Sequence, residues 1–338
     1  MLVNSIFQWT GITEEITYSS ELKNKYYQPI VNYSFLLLSL YSGIVPFFFK
    51  EFYFNDNKFM LLTYNVVVLS VYFNCVNYFK NKSNIELEVN FENECSESQK
   101  CRLRTTFSIF CIMAIYLTVG IPLSTNLAIR TEGSVFLKLS SVIVGLYWGA
   151  FTMICSAYYL YINAYCMGMT SIIKVWLKGM KRLDYPTDTY LIFQVYKKFY
   201  KMCKGFRKRW NNILCLTIMI ITFRLPFSFI LVFYNTLYWE VPLLIFHVYN
   251  WIYLVIPMCE VNSQNDEIST YFYKHPHIVK DKADIEEIVK YNSINQLGIN
   301  IYGLIPKYTH LVSIIFVFVN VLVPAFIAFL TDTLKVKQ

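Results

Sequence analysis

Charge is scarce in this chain: only 15% of its 338 residues are Asp, Glu, Lys or Arg, against roughly 25% in soluble domains. A soluble domain of this length covers its surface with charge, and this chain cannot. Glycine is also sparse, at 11 residues, which leaves little room for a phosphate-cradling loop. Histidine is limited to positions 247, 275, 277 and 310, and no His-x-x-x-His or His-Glu-x-x-His pair occurs. Such pairs are what a zinc enzyme built on helices uses. His275 and His277 flank Pro276 and read as solvated loop residues. The composition excludes disorder, collagen and coiled coil. No catalytic residue, metal site or cofactor is therefore expected, and the chain does not read as an enzyme.

What the chain has instead is apolar bulk. Hydrophobic residues make up 56%, Phe and Tyr contribute 28 each, and the mean hydropathy is +0.40. A membrane-crossing helix needs about 20 mostly apolar residues. Seven runs between charges meet that need: 30–49, 59–79, 105–129, 139–173, 211–239, 241–259 and 308–331. None alternates as a barrel strand would. The prediction is an all-α membrane protein with seven transmembrane helices, at about 30–49, 59–79, 105–129, 139–165, 212–235, 241–260 and 309–331. The run 139–173 has no turn of Pro, Asn or Asp in its middle, so it reads as one long helix whose inner end leaves the bilayer. The fifth run is interrupted by Arg224 beside Pro226; a charge at depth is tolerated where it faces protein or water.

Orientation follows from Lys and Arg. The N-terminal segment and the loops after spans two, four and six hold 23 of the 30 basic residues. The other loops hold 6, and Arg224 completes the count. Basic loops stay in the cytoplasm, so the N-terminus reads as cytoplasmic and the C-terminus as extracellular. A G-protein-coupled receptor has the reverse orientation. MLVNSIFQW has no basic n-region, and no signal peptide is expected. None of the nine cysteines falls in an outer loop, so no extracellular disulfide framework is expected. The net charge of +8 follows from the inner loops and requires no nucleic acid.

The chain reads as one domain, 1–338, with no internal repeat. The segment 80–104 carries Glu86, Glu88, Glu92, Glu94 and Glu97 and reads as mobile. The segments after spans four and six read as helical. In the latter, Asp284-Ile-Glu-Glu287 resembles a capping-box start, with Ile285, Ile288, Val289 and Asn292 on one face. Outside the bilayer such a stripe needs a partner, which points to an intracellular helical bundle where subunits meet. Arg207-Lys-Arg-Trp210 reads as an inner-leaflet anchor. Arg224 lies thirteen residues beyond Asn211, about 20 Å along a helix. It reads either as facing a ligand cavity or as a structural arginine near Pro226. Aromatic walls with a few polar groups make small-molecule pockets. Tyr64, Tyr116, Tyr147, Trp148, Phe246 and Tyr249, with Arg224, form such a candidate set at the outer halves of spans two to six; ordinary packing is the other reading.

This plan resembles the insect gustatory and odorant receptor superfamily, including gustatory-receptor-like proteins of other animals. Two stretches carry the resemblance. The first span reads Leu38-Ser-Leu-Tyr-Ser-Gly43-Ile-Val-Pro46-Phe47, similar to the opening of gustatory receptors. The last begins Gly303-Leu-Ile-Pro-Lys-Tyr308-Thr-His-Leu311-Val-Ser-Ile-Ile, similar to the glycine and polar lead-in to that family's final span. The family ends on Thr-Tyr, five apolar residues and Gln-Phe; here Val321-Leu322, the residues 323–327 and Ala328-Phe329 take those places. The family's Gln is replaced by Ala328, which makes the pore less polar. The resemblance implies a tetrameric, ligand-gated, non-selective cation channel at the plasma membrane, homomeric or heteromeric with related subunits. Its partners would be a small-molecule ligand, monovalent and in the wider case divalent cations, and the bilayer, with no nucleic acid. The seventh helix would line the pore, with Val321, Leu322, Ala325, Ala328 and Phe329 on one face and Pro324 within it. The alternatives are a non-conducting subunit or scaffold of the same architecture, or a G-protein-coupled receptor if the orientation is reversed.

Overall fold

The computed structural model describes residues 33–45, 69, 91–128, 135–182, 187–234, 241–301, 305–309 and 312. Among these the elements are α1 (Tyr33–Val45), a single helical turn at Phe91–Glu94, α2 (Glu97–Ala128) and α3 (Val135–Lys181). Then follow α4 (Thr189–Tyr234), α5 (Val241–Lys274), a 3-10 turn at Pro276–Ile278 and α6 (Lys282–Ile294). The described residues contain no β-strand, only an isolated bridge between Thr187 and Val279.

Three helices, Glu97–Leu123, Val135–Lys181 and Val241–Lys274, are long and apolar enough to cross a membrane. They coincide with the runs 105–129, 139–173 and 241–259. The run 139–173 is one helix, as expected. At 47 residues α3 is about 70 Å long, more than twice the roughly 30 Å of a bilayer's hydrocarbon core. Lys178 and Lys181 in its last turn complement the negative end of the helix dipole. The described part of the fifth run, 211–234, belongs to α4, which continues helically through Arg224 and Pro226; 235–239 lie outside the described residues. The run 59–79, apart from Leu69, and nearly all of 308–331 lie outside the described residues.

Helix starts follow capping chemistry. Ser96 and Gln99 form a capping box ahead of α2: the Ser96 amide donates to Gln99 Oε1 at 2.8 Å, and the Gln99 amide donates to Ser96 Oγ at 3.4 Å. At α4, Asp188 Oδ1 accepts the Tyr190 amide at 3.0 Å. The expected capping box at Asp284 is not used. The helix starts earlier, behind Asp281, and Asp284 accepts the Thr189 hydroxyl at 2.7 Å instead. A partner from α4 outcompetes the local cap.

The chain packs as two units, Met1–Ile172 with Asn212–Trp251, and Ile173–Asn211 with Ile252–Gln338. In the first unit α1 lies antiparallel to α3: Phe35 packs on Tyr147 (5.6 Å between ring centroids), and Tyr41 and Ser140 share a 2.6 Å hydrogen bond. The α2–α3 pair is also antiparallel and very close. A Cβ on Gly149 would lie 2.0 Å from Thr118 Oγ1, and one on Gly145 would lie 2.8 Å from the Thr118 carbonyl. Two glycines four apart let helix backbones approach where lipid cannot drive them together. Phe91, Cys95 and the turn between them dock on the same helix: Phe91 packs on Tyr165 at 4.8 Å, and the Cys95 thiol faces the Ala164 carbonyl at 3.7 Å. This part of 80–104, expected to be mobile, is anchored by the burial of Phe91 and Cys95 against α3. The exposed faces of this unit are apolar stripes: Tyr33, Leu37, Leu40 and Ile44 on α1; Ile112, Ile115, Val119 and Leu123 on α2; Leu139, Val142 and Leu146 on α3. Ser140, Ser141, Ser156 and Asn163 of α3 are buried instead.

The second unit has the opposite pattern. Along α4, Ile192, Tyr196, Phe199, Cys203, Phe206 and Trp210 are buried at alternating steps of four and three, one stripe of a helix. Lys197, Lys198, Lys201, Lys204 and Lys208 are exposed. Trp210 is 1% exposed and packs with Phe206 at 6.2 Å, so it is a core residue of this unit and not the leaflet anchor expected. Its place on the buried stripe decides that. Ile173, Leu177 and Met180 of α3, Val261, Ile268 and Phe272 of α5, and Ile285 and Ile288 of α6 complete the core. Val289 is only half-buried, so the α6 stripe is narrower than expected.

Candidate functional site

The most specific geometry lies in the second unit, where α5 carries Asn262 and Asn265 three residues apart on its buried side. Asparagine is a poor helix former and costs free energy to bury unless its amide is paired. Both amides are paired, and in the same manner. Asn265 Oδ1 accepts the Leu297 amide at 2.8 Å while its Nδ2 donates to the Leu297 carbonyl at 2.8 Å. Asn262 Oδ1 accepts the Ile299 amide at 2.7 Å, and its Nδ2 donates to the carbonyls of Ile299 (3.1 Å) and Pro306 (2.8 Å). Two side chains one turn apart thus clasp alternate residues of the segment that follows α6, each through its backbone amide and carbonyl.

Gly298 sits between the two clasped residues with φ +98, a conformation that L side chains rarely adopt. A Cβ there would fall 1.9 Å from Asn262 Oδ1. Behind the clasp, Asn292 of α6 donates from Nδ2 to the Asn265 carbonyl at 2.6 Å and to Ser269 Oγ at 2.8 Å. The Tyr196 hydroxyl of α4 donates toward Asn292 Oδ1 and the Asn295 carbonyl, the latter at 2.8 Å. Burial pushes the Tyr196 phenol far above the ordinary phenol range, with smaller contributions in the same direction from Cys203 and Tyr291. It therefore stays a neutral donor. The network fixes the chain at the point where α6 ends and the seventh apolar run approaches. No group of three His, Cys, Asp or Glu side chains among the described residues could hold a metal ion.

Of the aromatic set expected to line a pocket, Tyr116, Tyr147, Trp148, Phe246 and Tyr249 are among the described residues. Tyr147 is fully buried, donates to Ser39 Oγ at 3.1 Å and meets the Trp148 ring edge-on at 5.4 Å. Phe246 packs edge-on against Phe110 at 5.1 Å, and Tyr249 shares a 2.6 Å hydrogen bond with Thr106. Thr106 and Phe110 open the third run, so the antiparallel register sets Phe246 and Tyr249 level with the start of that run. Tyr116 is half-buried, six residues further along α2 and about 9 Å beyond Phe110. Arg224 lies on α4. Tyr64 and the pore set Val321, Leu322, Ala325, Ala328 and Phe329 lie outside the described residues.

Sequence reasoning singled out Asn292 but missed Tyr196, Asn262, Asn265 and Gly298. The available signal was a pair of asparagines inside a helix, at one-turn spacing, with no cap to serve. Comparisons with protein-family models, curated proteins and solved structures gave no match to this chain.

Proposed function

We propose that the chain is a subunit of a multi-span receptor channel: a ligand-gated cation channel of the plasma membrane, resembling gustatory and odorant receptors. The observation that carries this reading is the contrast between the two units. One exposes apolar stripes on helices long enough to cross a membrane, as lipid-facing helices do. The other is built from the continuations of α3, α4 and α5, exposes lysine, and clasps the segment leading to the seventh run. The seven-span count is supported by the sense of the helices. Both α1 and α2 run antiparallel to α3 and hence parallel to each other, the sense expected of spans one and three in a seven-span plan. The inner unit carries the eleven basic residues between Lys174 and Arg209, which favours a cytoplasmic position. In this reading the unit anchors a tetramer, and residues 309–331 of each subunit line a central pore.

A non-conducting subunit of the same architecture is favoured by one residue, Ala328, where gustatory receptors carry Gln. Recording from cells that express the chain alone, challenged with a panel of small molecules, separates the two. A conducting chain gives ligand-evoked cation current, and Ala328→Gln or Phe329→Ser alters basal current or selectivity by wetting an apolar ring. The same changes at Phe326 or Leu330, on the other face, do less. Equal effects on both faces at normal surface expression overturn the pore assignment, and silence under every condition favours the non-conducting subunit.

A further inference from the structure

The lysines of α4 are arranged with more order than a cytoplasmic charge bias requires. Lys197, Lys201, Lys204 and Lys208 are all exposed and recur at steps of four, three and four, forming one stripe directly opposite the buried stripe of the same helix. Over those eleven or so residues the stripe runs about 16 Å. Like charges at these spacings repel one another, and the helix offers no carboxylate of its own to relieve them: residues 189–239 contain neither Asp nor Glu. None of the four forms an ion pair among the described residues. The exposed face of α6 is built differently, with Lys282, Glu286, Glu287 and Lys290 mixing both signs. Trp176 of α3 packs on Phe199 of α4 at 5.6 Å, so the neighbouring helix brings two more exposed lysines, Lys174 and Lys178, to the same hairpin. Both groups of lysines start where the apolar runs stop, Lys174 directly after Ile173 and Lys208 three residues before Asn211.

We propose that this lysine face is a docking surface for the polyanionic headgroup of a membrane phospholipid, of the phosphoinositide class. The choice of a lipid follows from continuity: α3 and α4 pass without a break from apolar run to lysines, which brings the near end of the stripe, Lys208, to the headgroup layer, with Lys204, Lys201 and Lys197 continuing about 16 Å further along the axis to meet phosphates that project from it. Several phosphates on one headgroup match several lysines on one helix face. The inference rests on the reading of α3 and α4 as membrane-crossing helices.

The test uses the full chain in phosphatidylcholine nanodiscs, titrated with fluorescent short-chain phosphatidylinositol bisphosphate. Binding is expected to be salt-dependent. Replacing Lys197, Lys201, Lys204 and Lys208 together with Gln is expected to weaken it by at least about tenfold, while replacing all four with Arg retains it. Lys282→Gln with Lys290→Gln, on the mixed-sign face, leaves it unchanged. Competition by soluble inositol trisphosphate should be weaker than by the lipid, because only the lipid is held at the surface by its chains. Equal binding by the Gln variant, equal loss in the α6 control, or preferential displacement by an acidic peptide overturns the proposal. A chain that does not co-elute with the discs overturns the membrane reading as well, so the two failures are distinguishable.

Discussion

Valine at Gly298 is expected to destabilise the second unit by about 4 kcal/mol or more, through two causes that act at the same atom. The backbone at φ +98 is strained for any L side chain, at a cost of about 1–3 kcal/mol. The new Cβ also lands 1.9 Å from Asn262 Oδ1, which forces Asn262 off Ile299. Each buried amide group left without a partner then costs about 1–3 kcal/mol. Gly179 and Gly205 provide the control, since a Cβ at either meets nothing within 4 Å. Alanine at those two helical sites should be neutral or stabilise by about 0.5–1 kcal/mol. Thermal unfolding of the purified chain, followed through its tryptophans, distinguishes the sites. Similar midpoints for Gly298→Val and Gly205→Ala would mean that the clasp does not hold the second unit together.

Ile288→Asp is the second large effect. Ile285 and Ile288 are 5% and 3% exposed, and a carboxylate at 288 would replace apolar packing with an unpaired acid, for a loss of roughly 2–4 kcal/mol. On native gels the variant should show less of the assembled species, because the helix that carries Asn292 into the clasp no longer seats. Val289→Asp, at a half-buried position on the same helix, should lose much less. Wild-type assembly in the Ile288 variant would show that assembly does not depend on α6 packing.

The helices were largely legible because membrane-length apolar runs and helical stripes are local signals. The run 139–173 read as one helix since nothing in it turns the chain, and Ile285, Ile288 and Asn292 read as one face since their spacing is helical. Residues whose role depends on distant partners were not legible. Trp210 looked like a leaflet anchor beside three basic residues, yet it continues the buried stripe that began at Ile192. Asp284 looked like a cap, yet Thr189 claims it from 95 residues away. The vertical offset between α2 and α5, which sets Tyr249 against Thr106, depends on packing that no single helix encodes. Gly298 could be read only with Asn262 beside it.

The most direct test of the receptor-channel account is epitope accessibility on expressing cells. One tag is inserted between Arg130 and Val135, ahead of α3, and another between Lys280 and Lys282, ahead of α6. With the inner unit cytoplasmic, the first tag stains intact cells and the second stains only after permeabilisation. Staining of the second tag on intact cells, with the first hidden, would contradict the account and favour the orientation of a G-protein-coupled receptor.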